Sequence, residues 1–66
     1  MKAAQRRKEI INIIMSEKRA VSGGTLSEML GVSRQIIVGD ISALKADGYD
    51  ILSTHSGYIV KGTPLC

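Results

Sequence analysis

The sequence predicts a mainly α domain closed by one small β-hairpin, and three observations predict it. Apolar residues recur at helical spacing in three separate segments. Glycine stands at the end of the second and third segments, at Gly31 and Gly48. Two β-prone runs joined by a glycine-containing link then follow. At 66 residues the chain is a single small domain, and a domain near this size buries only ~60% of the surface its unfolded form exposes.

The first helix is expected from Lys2 to about Lys18. Ile10, Ile11, Ile14 and Met15 recur there at three- and four-residue spacing behind Arg6, Arg7, Lys8 and Glu9. Lys18 and Arg19 are expected in its last turn, where cations suit the negative end of the helix dipole. Ala20-Val21 is an apolar pause able to form one brief strand. Ser22 is a candidate N-cap, with Thr25-Leu26-Ser27-Glu28 competing as a capping box. The short helix that follows runs to Leu30, is expected to bury Leu26, Met29 and Leu30, and ends at Gly31.

Val32-Ser33 completes a tight turn, and Ser33 caps the third helix, expected from Arg34 to about Asp47. Ile37, Ile41 and Leu44 share one face of it, and Gly48 ends it. Asp50–Thr54 and Tyr58–Val60 are the β-prone runs, linked by His55-Ser56-Gly57 with glycine available for positive φ. Residues 1–62 therefore read as the domain and 63–66 as a tail or the start of a linker. With no Trp or Phe and only two Tyr, the core is expected to be aliphatic, built from Ile, Leu, Val and Met. The order helix, helix, turn, helix, hairpin is that of a winged helix-turn-helix, three helices plus a wing.

Composition narrows the function classes. Nine Lys+Arg against six Asp+Glu give a net charge of +3 and an isoelectric point near 9.4, which favours a polyanionic partner. The scarcity of aromatic residues disfavours single-stranded nucleic acid, which is bound by stacking. No apolar run approaches membrane-spanning length and no secretory signal opens the chain, so a cytoplasmic location is expected, with Cys66 reduced. A lone cysteine forms no intrachain disulfide, and no His/Cys set has metal-ligand spacing.

Catalytic readings fail one by one. Gly23-Gly24 lacks the Lys-Ser/Thr of a phosphate loop, and Cys66 has no nearby base. Asp40 and Asp47 lie on one helix, but a chain this small cannot wall off a substrate pocket. No catalytic, cofactor or metal residue is expected, and the chain does not read as an enzyme.

A binding surface is easier to place. At 100° per residue, burying Ile37, Ile41 and Leu44 puts Gln35, Gly39, Ser42 and Ala46 on the far side, flanked by Arg34 and Val38. Gln35 can pair bidentately with adenine, Arg34 can reach guanine or a phosphate, and Val38 can touch a thymine methyl. The amides at Ser33–Gln35 open a helix, where an anion is favoured. Lys45, Lys61 and one of Arg6 or Arg7 are candidate phosphate contacts, as are His55 and Ser56 at the hairpin tip. The run Arg6-Arg7-Lys8 otherwise reads as a solvated helix face. The candidate DNA-binding set is thus Ser33, Arg34, Gln35, Val38, Gly39, Ser42, Lys45, His55 and Ser56. Gly39 inside a helix costs about 1 kcal/mol relative to Ala, a cost that makes sense where another body passes close by.

The stretch Leu30-Gly31-Val32-Ser33-Arg34-Gln35, with Ile37-Val38, Asp40-Ile41, Leu44, Gly48-Tyr49, Ile51-Leu52 and Gly57-Tyr58, resembles a known family. It looks like the amino-terminal winged helix-turn-helix domain of biotin-repressor-type transcriptional regulators. The likeness is closer to the nicotinic-acid-responsive repressors of NAD biosynthesis and salvage genes, and it covers roughly residues 5–60. The resemblance implies a bacterial repressor that dimerises and binds a palindromic operator through Ser33, Arg34, Gln35 and their neighbours. It also implies that corepressor and metal sites belong to a separate carboxy-terminal domain. Two positions depart from the family: Gly39 stands where Arg or Gln is common, and His55-Ser56 where the wing often carries a basic residue.

Four cations on phosphates would give a non-specific dissociation constant of roughly 10⁻⁴–10⁻⁶ M, against ~10⁻⁸ M or tighter for specific regulators. A two-half-site mode is therefore expected. Two other readings stay open: a protein–protein module using an Ile36/Val38 ridge, and the regulatory domain of a bifunctional biotin ligase.

Overall fold

The computed structural model describes residues 2–17 and 19–62. The element order is α1 (Ala3–Ser16), α2 (Gly23–Leu30), α3 (Arg34–Ala46), β1 (Asp50–Thr54) and β2 (Gly57–Gly62). This is a mainly helical fold with a two-stranded antiparallel hairpin, that of a winged helix-turn-helix. The expected tail at 63–66 lies outside the described residues.

Helix α1 stops at Ser16, short of the expected end, and its last turn carries no basic residue. Glu17 turns to extended backbone at φ −88° and ψ 140°, and the Ser16 hydroxyl donates to the Ile13 carbonyl at 3.0 Å. A serine hydroxyl bonded back to its own last turn competes with helix propagation there. Arg19 therefore stands beyond the helix rather than at its dipole.

Ser22 wins the competition to cap α2: its Oγ accepts from the Thr25 amide at 3.1 Å. Gly31 closes the helix in the left-handed region at φ 67°, and the Val32 amide donates back to the Ser27 carbonyl at 3.1 Å. Ser33 repeats the capping arrangement for α3, accepting from the Ile36 amide at 3.3 Å. The three residues between α2 and α3 are thus a left-handed glycine, an apolar spacer and a cap, which fixes the angle between the helices.

The core is aliphatic: Ile10, Ile11 and Ile14 of α1, Val21, Leu26 of α2, Ile37, Ile41 and Leu44 of α3, and Ile51 of β1. The methionines expected in it are not there, since Met15 and Met29 are each 58% exposed. On α2 the buried positions are Gly23 and Leu26, with Leu30 partly buried against the core. Met29 sits about 100° around the helix from Leu30, clear of that stripe. Met15 lies beyond Ile11 on the far edge of the α1 stripe for the same reason.

The hairpin pairs Ile51 with Val60, Leu52 with Ile59 and Ser53 with Tyr58. Its loop is shorter and β2 longer than the sequence suggests, because Gly57 already pairs with Thr54. The Thr54 hydroxyl donates to the Gly57 carbonyl at 2.8 Å and accepts from the Ser56 amide at 3.2 Å, so one side chain ties the tip. The brief strand expected at Val21 is present as a bridge to Tyr58, with N–H···O bonds of 3.1 and 2.8 Å in the two directions. That bridge presses β2 against the segment entering α2. A Cβ on Gly57 would meet the Val21 carbonyl carbon at 2.5 Å, and φ there is 139°.

Candidate nucleic-acid interface

Four residues of α3 are buried: Ile37, Asp40, Ile41 and Leu44. On the opposite side Gln35, Gly39, Ser42 and Ala46 are all exposed, in one row along the helix. Apart from Gln35, their side chains are short or absent. Among the described residues, and leaving aside its chain neighbours and the backbone of α3 itself, nothing lies within 4 Å of where a Cβ of Gly39 would stand. The chain's own packing therefore gives no reason for glycine at that position.

Val38 and Lys45 form one flank of this row and are exposed. Ile36 is also exposed, at 41% against 50% for Val38. Two positions apart on an α-helix means 200° around it, so Ile36 and Val38 stand on opposite flanks and make no continuous ridge. The apolar surface that a protein-docking reading relies on is thereby split.

At the amino-terminal end of α3, Arg34 leans over the start of α2. Its Nε and Cγ lie 3.7 and 3.8 Å from where a Cβ of Gly23 would be, and Tyr58 Cε2 lies 3.5 Å from the same point. Gly23 is buried for that reason. Ser22, Gly23, Arg34, His55, Ser56 and Tyr58 line a small cleft between α2, α3 and the hairpin tip. The fold thus gathers Arg34, His55 and Ser56, far apart in sequence, beside the outward row of α3. Lys61 is exposed on β2. Ser33 is exposed but spends its acceptor on the Ile36 amide, leaving its hydroxyl proton to give.

The expectation for Arg6 and Arg7 needs correction. Both are bonded across to α3, although the Arg7 side chain keeps 37% of its surface exposed. Arg6 grips the Asp40 carboxylate with both Nε and Nη2, the latter at 3.0 Å, and Arg7 Nε donates to Asp40 Oδ1 at 3.2 Å. Asp40 is only 2% exposed. The hydrogen bond from Arg6, supported by that from Arg7, holds the Asp40 carboxyl below the ordinary carboxylate range, although burial acts the other way. Lys8 remains exposed.

Asp40 is the residue that sequence reasoning missed. A signal existed: Asp40 falls on the Ile37–Ile41–Leu44 stripe, and Arg7 precedes Ile10, Ile11 and Ile14 on the α1 stripe. A carboxylate and an arginine on two stripes bound for one core are expected to meet.

Among the described residues, no helix is long and apolar enough to cross a membrane. No group of three His, Cys, Asp or Glu there could hold a metal ion. The outward row and its cationic neighbours suit a surface that meets another molecule.

The comparisons agree with this architecture. A probable transcription repressor NiaR from Thermotoga maritima is 47% identical over 58 residues, covering 88% of this chain and 33% of that protein. The transcription repressor NadR of Bacillus subtilis is 41% identical over 56 residues, covering 85% of this chain and 31% of that protein. The chain thus spans about a third of the length of the curated relatives it matches. A family model described as an HTH domain matches residues 6–59, from the arginine that holds Asp40 to the second strand of the hairpin, and the chain belongs to this helix-turn-helix family.

Proposed function

We propose that this chain is the sequence-reading, double-stranded-DNA-binding domain of a bacterial transcriptional repressor that controls NAD or niacin metabolism genes. The observation that carries the proposal is the outward row of α3. It is exposed, made of Gln35, Gly39, Ser42 and Ala46, and flanked at one end by the Arg34–His55–Ser56 cleft. A solvated helix face normally recruits long charged side chains. A face that enters the major groove needs a side chain able to pair with a base edge, as Gln35 can with adenine, and small neighbours that let the helix approach. The likeness to two transcription repressors supports the same reading.

In this reading Gln35 reads a base, and Val38, Gly39 and Ser42 line the groove. Ser33, Arg34, Lys45, His55 and Ser56 hold the flanking phosphates. The module acts by binding rather than by catalysis, in the cytoplasm, and residues 1–62 are sufficient for it. One such module has few cations to offer, so the repressor works as a homodimer on a palindromic operator, each copy taking one half-site. Corepressor and metal binding lie in a further domain.

The test is selection from a randomised duplex library by the chain and by its Gln35→Ala variant. The variant is expected to lose about 1–3 kcal/mol of discrimination at one base position while keeping the rest of the site. An unchanged preference at every position would contradict the assignment of Gln35.

A further inference from the structure

We propose that Asp40 is a positioning residue for base reading: with Arg6 and Arg7 it sets the rotation of α3 about its own axis, and so the aim of Gln35. The inference rests on the DNA-reading function proposed above and goes further by naming what makes that reading selective.

Apolar packing alone leaves the rotation soft. Ile37, Ile41 and Leu44 hold α3 by dispersion and by exclusion of water, and these forces have little directionality. Small rotations exchange one set of contacts for a nearly equivalent one. Reading a base tolerates far less. With side chains reaching about 5–6 Å from the axis, a 15° rotation moves a tip by roughly 1.5 Å. A hydrogen bond survives only within a few tenths of an ångström of its ideal distance.

The ion cluster supplies the missing direction. Arg6 meets Asp40 as a two-point fork, Nε to Oδ2 and Nη2 to Oδ1, while Arg7 Nε takes Oδ1 from a second position on α1. A planar fork bound at two points fixes orientation as well as distance. Three donors from two successive α1 residues therefore fix both the rotation and the axial position of α3. Asp40 also immediately follows Gly39, the position where α3 lacks a side chain and is most deformable. The clamp thus sits on the same turn as the weakest point of the reading row.

Stability alone is a poor reason for this cluster. Replacing a buried ion cluster by well-packed apolar residues is often neutral or stabilising, even where, as here, the arginine hydrogen bonds outweigh the desolvation of the carboxylate. Selection of geometry is the better-attested use of such pairs.

The experiment uses a duplex enriched by the wild-type chain from a randomised library and a scrambled duplex of equal length. The affinity ratio between them is measured for wild type, Asp40→Asn and Arg6→Lys, at temperatures where each variant is folded by circular dichroism. Asp40→Asn is expected to lower the ratio about tenfold, the loss of one good base contact, while affinity for the scrambled duplex and its salt dependence stay the same. Arg6→Lys keeps the charge and removes the fork, and is expected to lower the ratio in the same direction. It carries the test where Asp40→Asn fails to fold.

A lowered melting temperature with an unchanged ratio in the folded variants overturns the proposal, because a purely structural pair would behave so. A steeper salt dependence in Asp40→Asn also overturns it, since Asp40 would then be withholding the arginines from phosphates. Failure of the wild-type chain to enrich any duplex overturns the DNA-reading function itself, and this inference with it.

Discussion

Two glycines in this chain do opposite things, and the difference is measurable. Gly57 is required by the fold: its φ of 139° is disfavoured for any side chain, and a Cβ would sit 2.5–2.7 Å from the backbone of Val21 and Ser22. Gly57→Ala is expected to cost about 2–4 kcal/mol in urea or thermal melts, from strain and from separation of β2 from Val21. Gly39 has no such constraint, with open space where its Cβ would be. Gly39→Ala is expected to stabilise the free domain by up to ~1 kcal/mol and to weaken duplex binding in parallel. Gain of stability without loss of binding would remove Gly39 from the reading face. The sequence shows Gly57 as a turn residue through its place between two β-prone runs. It does not show Val21 pressing on it, because that contact joins distant segments.

Among the elements, α3 is the most legible and α1 the least. The apolar spacing of Ile37, Ile41 and Leu44 places the outward row of α3 correctly, and Ser33 and Gly31 give its entry. The same spacing argument overfills the core, because it admits methionines at the edge of each stripe. Met15 and Met29 lie off the stripes and are exposed. Arg6 and Arg7 read by type as surface cations, and the fold turns both toward Asp40.

The contact between α1 and α3 has its own prediction. Because Asp40 titrates lower in the folded chain than in the unfolded one, the unfolded chain takes up the proton first on acidification. The stability from this group is complete above the ordinary carboxylate value and is lost as pH falls through the lowered one. Thermal melts across the acid range are expected to show a fall in midpoint for wild type that is much smaller in Asp40→Asn. Parallel curves for the two proteins would mean that the carboxylate is not the group responsible.

For the whole molecule, with Arg6 and Arg7 bonded to Asp40 and Lys61 on the same β2 face as Ile59, Arg34 and Lys45 are the cations left at the proposed interface. Two phosphate contacts imply a slope of log affinity against log salt near −2 per copy, from ~0.9 per contact. Binding should therefore be weak for one copy, and two copies on adjoining half-sites should double the slope. Fluorescence anisotropy over a salt series gives this number directly; a slope near zero would exclude backbone contacts.

The arrangement of three helices and a hairpin was legible because caps, glycines and apolar spacing all agreed on it. The gathering of Arg34, His55 and Ser56 into one cleft was not, since only the folded chain brings the start of α3 to the hairpin tip. The central claim is that α3 and the hairpin tip face DNA, and backbone amide shifts during titration with duplex DNA test it most directly. The account predicts changes concentrated at residues 33–42 and at His55 and Ser56, with the Met15 and Ile59 side of the domain unchanged. Changes confined to that opposite side, or none at low salt, would contradict it.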